Sequence, residues 1–106
     1  MADAGKKVQQ MINDNAVVVF SKSYCPYCKA TKQTLNNLNV DYALLELDND
    51  PDGSALQEAL EEISGQRTVP NVFIQQKHIG GNSDLQELFK SGKLIELVKS
   101  AGALKA

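Results

Sequence analysis

The chain has 106 residues, 42% of them hydrophobic and 23% charged, with two cysteines and a formal net charge of −2. This length and composition predict one soluble globular domain over residues 1–106 and exclude a mainly disordered chain. The acidic balance argues against nucleic acid as a partner, and no apolar run is long enough for a membrane helix. The first residues lack the apolar segment of a secretory signal, so we expect a reducing, cytoplasmic location.

Apolar residues recur at strand and helix spacing and predict the element order α-β-α-β-α-β-β-α-α. The predicted strands are residues 17–20, 42–47 and 71–74, followed by a hairpin through 75–77 into a fourth strand at 78–80. Long helical connections predict parallel pairing in the first half, and the short hairpin predicts an antiparallel pair in the second. We therefore expect an α/β fold with a mixed four-stranded sheet flanked by about five helices. The helical stripes are Val8, Met11 and Ile12; Thr31, Leu35 and Leu38; Leu56, Leu60 and Ile63; Leu85, Leu88 and Phe89; and Leu94, Ile95 and Val98.

Three helix boundaries are predicted from capping residues. Asp50 is a candidate N-cap with Pro51 at the first helical position. Ser83 and Gln86 stand three residues apart and match a capping box. Gly92 is expected to end the helix that carries Leu85 and Phe89.

The most informative motif is the C-x-x-C pair Cys25 and Cys28, which follows the first strand and opens a helix. Cys25 falls at the N-cap and Pro26 at the first helical position, where its missing N–H costs nothing. A thiolate at this N-cap would accept hydrogen bonds from the N–H groups of Tyr27 and Cys28 and would meet the positive end of the helix dipole. We therefore expect the pKa of Cys25 to lie below the free-thiol value of ~8.5.

Neighbouring charge and burial should make the two thiols unequal. Lys22 and Lys29 lie close to Cys25 in the sequence and, with Arg67, should form a basic surface that also lowers its pKa. Cys28 lies one helical turn further in, so it should be more buried and less reactive. An outer nucleophile beside an inner resolving thiol is the arrangement that thiol–disulfide exchange requires.

Three other uses of the cysteine pair are possible. A structural disulfide across so few residues would stabilise little, and a reducing compartment would open it. A zinc site would need further ligands, but the chain has no second C-x-x-C motif and only one histidine, His78. Either thiol could also be a small buried apolar group. The position between a strand and a helix favours the redox interpretation, and we expect no metal site.

Two further clusters stand near the second half of the predicted sheet. Pro70 should sit at the start of its strand. Because most X–Pro bonds are trans, the sequence alone favours a trans peptide bond between Val69 and Pro70. Gly80 and Gly81 lead into the start of a helix, which could attract a carboxylate. Asp84 in that first turn is better explained by capping than by binding of an ammonium group.

Taken together, C-P-Y-C at 25–28, T-V-P at 68–70 and G-G-N-S-D at 80–84 resemble the dithiol glutaredoxins. The resemblance extends from Val17 to about Phe89, and the surrounding residues look most like fungal cytosolic members. It implies a thioredoxin-like fold and the use of glutathione, as a co-substrate, to reduce protein–glutathione mixed disulfides and protein disulfides. It also implies a monomer without a bound cofactor, whose glutathione is recycled by glutathione reductase and NADPH.

The resemblance assigns roles to individual residues. Cys25 would be the nucleophile and Cys28 the resolving thiol, and the peptide bond before Pro70 would be cis, contrary to the expectation from sequence physics. Within the glutathione site, one group would bind the glycine carboxylate, the Val69 backbone would pair with the cysteinyl unit, and Ser83 and Asp84 would hold the γ-glutamyl end. The residues that would bind the glycine carboxylate are Lys22, Gln57, Arg67 and, as a further candidate, Gln66. Tyr27 and Thr68 complete the site.

Two alternatives share these features in part. Thioredoxins have the same fold and motif, but the lack of tryptophan, the C-P-Y-C pair and the G-G-N-S-D segment argue against that assignment. Some relatives of glutaredoxins carry a bridging iron–sulfur cluster, typically with one active cysteine and glycine in the position of Pro26. Pro26 therefore disfavours that use.

Overall fold

The structure, a computed structural model, describes residues 3–105. Five α-helices and four strands alternate in the predicted order, with a short 3-10 helix at Leu47–Asn49. Within residues 3–105, none of the helices combines the length and the apolar character needed to span a membrane. The elements are α1 (Asp3–Asp14), β1 (Val17–Ser21), α2 (Pro26–Asn37), β2 (Ala43–Glu46), α3 (Gly53–Ser64), β3 (Asn71–Ile74), β4 (Lys77–Gly80), α4 (Asn82–Lys90) and α5 (Lys93–Ser100).

The four strands form one mixed sheet in the order β2-β1-β3-β4. β1 runs parallel to β2, with Val18 opposite Ala43, and antiparallel to β3, with Val19 opposite Val72. β3 and β4 form an antiparallel hairpin. These pairings confirm the predicted mixed sheet and give the thioredoxin-like fold, with the end of β1 in the middle of the sheet.

The central strand is buried on both faces, as its unbroken apolar run predicts. Val17 and Val19 pack under α2, α4 and α5, whereas Val18 and Phe20 pack under α1 and α3. Phe20 meets Phe73 of β3 edge to face, with ring centroids 6.0 Å apart. Packing on both sides therefore fixes the strand that leads into the cysteine motif.

The predicted start of α3 is wrong by two residues. Asp50 and Pro51 lie in a turn after the 3-10 helix, and α3 begins at Gly53 with Asp52 as its N-cap. The Asp50 carboxylate is used within this turn, where it accepts the Asp52 N–H at 2.9 Å and pairs with Lys7 at 2.8 Å. The Asp50-Pro51 pair therefore forms a turn here and does not start a helix.

The predicted capping box at the start of α4 is also wrong. α4 begins at Asn82, with Gly81 as N-cap, and the Asp84 carboxylate accepts the Gly81 N–H at 3.2 Å. Ser83 lies inside the first turn, and Gln86 donates instead to the hydroxyl of Thr34 on α2, at 2.9 Å. A glycine N-cap has no side chain to signal it, so the sequence favoured the neighbouring serine.

The hairpin between β3 and β4 has a two-residue turn without glycine or asparagine. Gln75 and Gln76 both have positive φ, 48° and 67°, the backbone region that a type I′ turn requires. Non-glycine residues pay a steric cost in this region. The turn is therefore a place where the sequence is not optimal for its conformation.

We expect Gln76→Gly to stabilise the protein by about 1 kcal/mol, because glycine adopts a positive φ without that cost. The free energy of unfolding in urea measures the effect. Gln10→Gly, in the exposed part of α1, is the matched control and should destabilise by about 1 kcal/mol. Equal destabilisation by both variants would contradict this account of the turn.

Candidate active site

The cysteine motif lies where β1 passes into α2. Cys25 is the N-cap of α2, with extended backbone angles (φ −85°, ψ 120°), and Pro26 takes the first helical position. The Cys28 N–H donates to Cys25 Sγ at 3.4 Å, and the Cys25 carbonyl accepts the Lys29 N–H at 3.0 Å. The predicted N-cap thiol is thus confirmed.

The surroundings of Cys25 favour its thiolate. Partial burial by itself raises the pKa of Cys25, but hydrogen bonds from the Cys28 thiol and from the N–H groups of Cys28 and Tyr27 outweigh it. The positive charge of Lys32 also lowers the pKa of Cys25. The net pKa of Cys25 is lowered from its ordinary value, as predicted, so this thiol ionises more readily than a free thiol does.

Cys28 lies in the opposite environment. It has no exposed surface, and this burial raises the pKa of its thiol above the ordinary value. The neighbouring Cys25 adds to the rise, whereas the Lys22 N–H and the Ser21 hydroxyl oppose it. Both thiols are free and stand within contact of each other. One reactive and one protected thiol can exchange with a disulfide in sequence.

A groove runs beside the outer thiol. The Val69–Pro70 peptide bond is cis, so the trans form favoured by sequence physics is wrong and the form implied by the resemblance is right. The carbonyl oxygen of Val69 lies 3.9 Å from Cys25 Sγ. The groove has a volume of about 440 Å³ and is lined by Tyr27, Thr68, Val69, Pro70, Gly81, Asn82 and Ser83.

A second hollow, of about 290 Å³, contains two of the residues expected to bind a carboxylate, Lys22 and Gln57. The charge of Lys22 lies near Asp48, whose pKa is lowered mainly by hydrogen bonds from Ser23 and further by Lys22. The Gln57 amide donates to the carbonyl of Arg67 at 2.9 Å. Gln57 is therefore linked to the loop that precedes β3.

The expected basic surface around Cys25 is weaker than its lysine and arginine residues suggest. The Arg67 guanidinium pairs with Glu61 at 3.0 Å on the surface. The lysine whose charge lowers the pKa of Cys25 is Lys32, whereas the sequence pointed to Lys22 and Lys29.

The start of α4 forms the other wall of the groove. Asp84 caps this helix through the Gly81 N–H, which confirms the capping role, and its side chain remains exposed beside Ser83. Gly80 has a φ of +122°, and a Cβ there would collide with the Asp84 carboxylate. Gly80 is thus required by its positive φ and by the approach of β4 to this helix, whereas a Cβ at Gly81 would make only ordinary contacts.

The amide of Gln66 is already fully used. Its Nε2 donates to the carbonyls of Thr68 and Pro70, each at 2.9 Å, and its Oε1 lies 3.2 Å from His78 Nε2. No N–H of this amide is left for a carboxylate. Gln66 therefore lies at the site without being placed as a ligand.

Sequence reasoning missed Lys32 and its partner Glu46. Lys32 pairs with Glu46 at the end of β2, with Nζ and Oε2 2.9 Å apart and both side chains mostly buried. Lys32 follows Cys28 by four residues, so helical spacing already placed both on one face of α2. That spacing was the available signal.

Within residues 3–105, no three His, Cys, Asp or Glu side chains are grouped closely enough to hold a metal ion. The thiols at the end of β1, the helix start and the cis-proline groove instead define a thiol–disulfide oxidoreductase of the thioredoxin-like fold.

Comparison with known proteins refines this class. The sequence profile of the family described as glutaredoxin matches residues 17–79. The chain is 54% identical over 100 residues to a glutaredoxin of Vernicia fordii, covering 94% of this chain and 96% of that one. It is 48% identical over 101 residues to glutaredoxin-C2 of Arabidopsis thaliana, covering 95% and 91%. The chain therefore belongs to the glutaredoxin family, and it is an enzyme of the thiol–disulfide oxidoreductase class.

A solved structure agrees with this assignment. The crystal structure of the buckwheat glutaredoxin–glutathione complex superposes with a TM-score of 0.93 at 47% identity, covering 96% of this chain and 93% of that one. These relatives are plant proteins, so the expected likeness to fungal members is not shown.

We expect the rate of Cys25 alkylation to rise with pH through a midpoint below the free-thiol value of ~8.5, because only the thiolate reacts and its pKa is lowered. Iodoacetamide kinetics across pH on the reduced protein measure this midpoint.

In the same assay, Lys32→Gln should raise the midpoint by roughly half a pH unit, since it removes a positive charge near the sulfur. Lys29→Gln, on an exposed position of the same helix, is the matched control and should leave the midpoint nearly unchanged. A larger shift in the control would show that the charge effect is assigned to the wrong lysine.

Proposed function

We propose that this glutaredoxin uses glutathione to reduce protein–glutathione mixed disulfides and protein disulfides through Cys25 and Cys28. The observation that carries the proposal is the position of Cys25 Sγ, which accepts a helix N-terminal N–H and lies 3.9 Å from the Val69 carbonyl, beside the groove that Val69 lines. A low-pKa sulfur next to a backbone carbonyl at the edge of a groove suits a substrate that is both a disulfide and a peptide.

Glutathione is proposed to lie along this groove. Its cysteinyl unit would pair with the Val69 backbone, as a strand pairs with an edge, which brings its sulfur to Cys25. Its γ-glutamyl carboxylate would meet the first turn of α4 near Ser83, and its ammonium group would meet the exposed carboxylate of Asp84. The related buckwheat structure, a complex with glutathione, supports this choice of ligand.

The remaining contacts are proposed from the second hollow. Lys22 and Gln57 line it together, and Arg67 is joined to Gln57 through its carbonyl. A glycine carboxylate placed there would meet the ammonium group of Lys22 and the amide of Gln57, in a hollow that the carboxylates of Asp48 and Asp50 also line. Tyr27 and Thr68, which line the groove, would flank the reacting sulfur and the peptide.

Reduction of a glutathionylated protein requires only the outer thiol. The Cys25 thiolate attacks the glutathione sulfur, a Cys25–glutathione disulfide forms, and the protein leaves as a thiolate that takes up a proton. A second glutathione, as its thiolate, then attacks the bound glutathione sulfur. Oxidised glutathione leaves and the Cys25 thiolate is restored. The net reaction converts the mixed disulfide and one free glutathione to the protein thiol and oxidised glutathione.

Reduction of a protein disulfide requires both thiols. Cys25 attacks one protein sulfur and releases the other as a thiolate. Cys28 then loses its proton and attacks Cys25 Sγ, which frees the reduced protein and leaves a Cys25–Cys28 disulfide. Two glutathiones restore the dithiol. The raised pKa of Cys28 keeps it protonated and unreactive until it faces a mixed disulfide.

The proposed reductant also suggests the setting of the enzyme. Glutathione reductase with NADPH would regenerate the glutathione, and a reducing compartment such as the cytoplasm would supply it. We propose a monomer that needs no bound cofactor, since both half-reactions are carried by the two thiols and glutathione.

We expect Cys28→Ser to retain reduction of a glutathionylated peptide and to lose reduction of a peptide disulfide by roughly a hundredfold or more, because only the second route uses the inner thiol. Coupled assays with NADPH, glutathione and glutathione reductase measure both activities on the same preparation.

Cys25→Ser is the control and should abolish both activities. Parallel loss of both activities in Cys28→Ser, with the fold intact by circular dichroism, would contradict the assignment of outer and inner roles. A wild-type protein that works with thioredoxin reductase but not with glutathione would contradict the proposed reductant.

A further inference from the structure

The loop between α3 and β3 is held by side chains that bond its carbonyl groups. Gln66 Nε2 donates to the carbonyls of Thr68 and Pro70, on either side of Val69, at 2.9 Å each. The Gln57 amide holds the carbonyl of Arg67 at 2.9 Å. The Val69 carbonyl, between the two that Gln66 binds, faces Cys25 Sγ. One amide thus fixes the residues on both sides of the peptide unit that faces the nucleophile.

The orientation of the Gln66 amide is itself determined. Both of its N–H bonds are used on carbonyl groups, so Oε1 must accept the hydrogen bond from His78 Nε2, 3.2 Å away. The His78 ring therefore carries its proton on Nε2. It stands against the ring of Phe73, with centroids 5.2 Å apart, and this contact orients the imidazole. Phe73 thus contacts His78, His78 bonds Gln66, and Gln66 holds the carbonyl groups of the loop.

The start of α4 lies close to this arrangement. A Cβ added at Gly81 would lie 3.6 Å from the Pro70 carbonyl oxygen and 3.9 Å from Gln66 Nε2, both ordinary van der Waals distances. The bond between Gln66 and Pro70 therefore faces the N-cap of α4 with room for a methyl group between them. Movement of this amide would displace the Val69 loop, which lines one side of the groove.

We propose that Gln66, oriented by His78, is a positioning residue that holds the Val69 backbone in place for the cysteinyl unit of the bound disulfide. The inference rests on the proposed function. It replaces the role expected from the sequence, in which Gln66 binds the glycine carboxylate. Gln66 contacts no reacting atom in this role, and it leaves the Cys25 thiolate unaffected.

The test compares two substrates that differ only at the glycine end. One peptide carries glutathione as a mixed disulfide, and the other carries γ-glutamylcysteine, which lacks the glycine. Gln66→Met removes both N–H donors at similar length. We expect it to lower kcat/KM roughly tenfold on both substrates, as the loss of two hydrogen bonds suggests, with an unchanged pH midpoint for Cys25 alkylation. Loss confined to the glutathionylated peptide would overturn the proposal in favour of a carboxylate ligand.

His78→Phe tests the same chain of contacts from its other end. Phenylalanine preserves an aromatic ring against Phe73 but removes the N–H that orients Gln66. We expect a roughly two- to threefold loss of kcat/KM on both substrates. The change should have no further effect in the Gln66→Met background, because the two residues act in series. Independent, multiplicative losses would overturn the proposed dependence.

A readout independent of activity separates this inference from the proposed function. Hydrogen exchange and amide NMR shifts of residues 67–69 should change in Gln66→Met, whereas Gln10→Met, on the exposed face of α1, should leave them and kcat/KM as in the wild type. An unchanged loop in Gln66→Met would overturn the inference. A wild-type protein inactive on both peptides, together with a changed loop in Gln66→Met, would contradict only the proposed function.

Discussion

The hydrogen bonding between the first turn of α2 and the sulfur of Cys25 is the interaction on which the site depends. An N-terminal helical turn has N–H groups without partners inside the helix, and here one of them donates to the thiol. The same bond satisfies the helix and stabilises the anion. β1 is buried on both faces, residues 22–24 connect it to Cys25, and Pro26 begins the helix directly after Cys25. Packing of the core thus anchors the strand that leads to Cys25.

The same helix also builds the groove. Its buried face carries Cys28, Thr31 and Leu35, and the Thr31 hydroxyl donates to Asn82 Oδ1 at the start of α4, at 2.9 Å. The sides of the groove that α2 and α4 form are therefore joined by a partly buried hydrogen bond. Cys28, on the face that anchors α2, is protected by the burial that stabilises the fold. The position of each cysteine on α2 therefore sets its reactivity: Cys25, at the helix start, is the more reactive, and Cys28, on the buried face, is protected.

Local patterns in the sequence predicted the features that depend on neighbouring residues. The element order along the chain, the parallel and antiparallel pairs and the N-cap position of Cys25 follow from apolar runs, connection lengths and Pro26. The helix starts near Asp50 and Ser83 were wrong, because backbone groups and turn contacts compete with the side chains that usually cap helices. Charge effects were also misplaced, since the approach of Lys32 to the thiol depends on the three-dimensional path of α2.

Contacts between distant segments could not be predicted from one sequence. The cis bond before Pro70 and the Gln66 amide that bonds its carbonyl depend on where the loop meets α4 and β4. The resemblance to a family supplied the first of these but not the second. Gln66 bonds the loop that lines the groove, and residue type alone does not reveal these hydrogen bonds.

The central claim is that two thiols three residues apart have opposite environments, with the pKa of Cys25 lowered and that of Cys28 raised. A pH titration of the reduced protein by NMR, with ¹³C label at both cysteine Cβ atoms, measures the two pKa values separately. The account predicts that the Cys25 resonance titrates below the free-thiol value of ~8.5 while the Cys28 resonance is still unchanged. Titration of both resonances together, near or above that value, would contradict it.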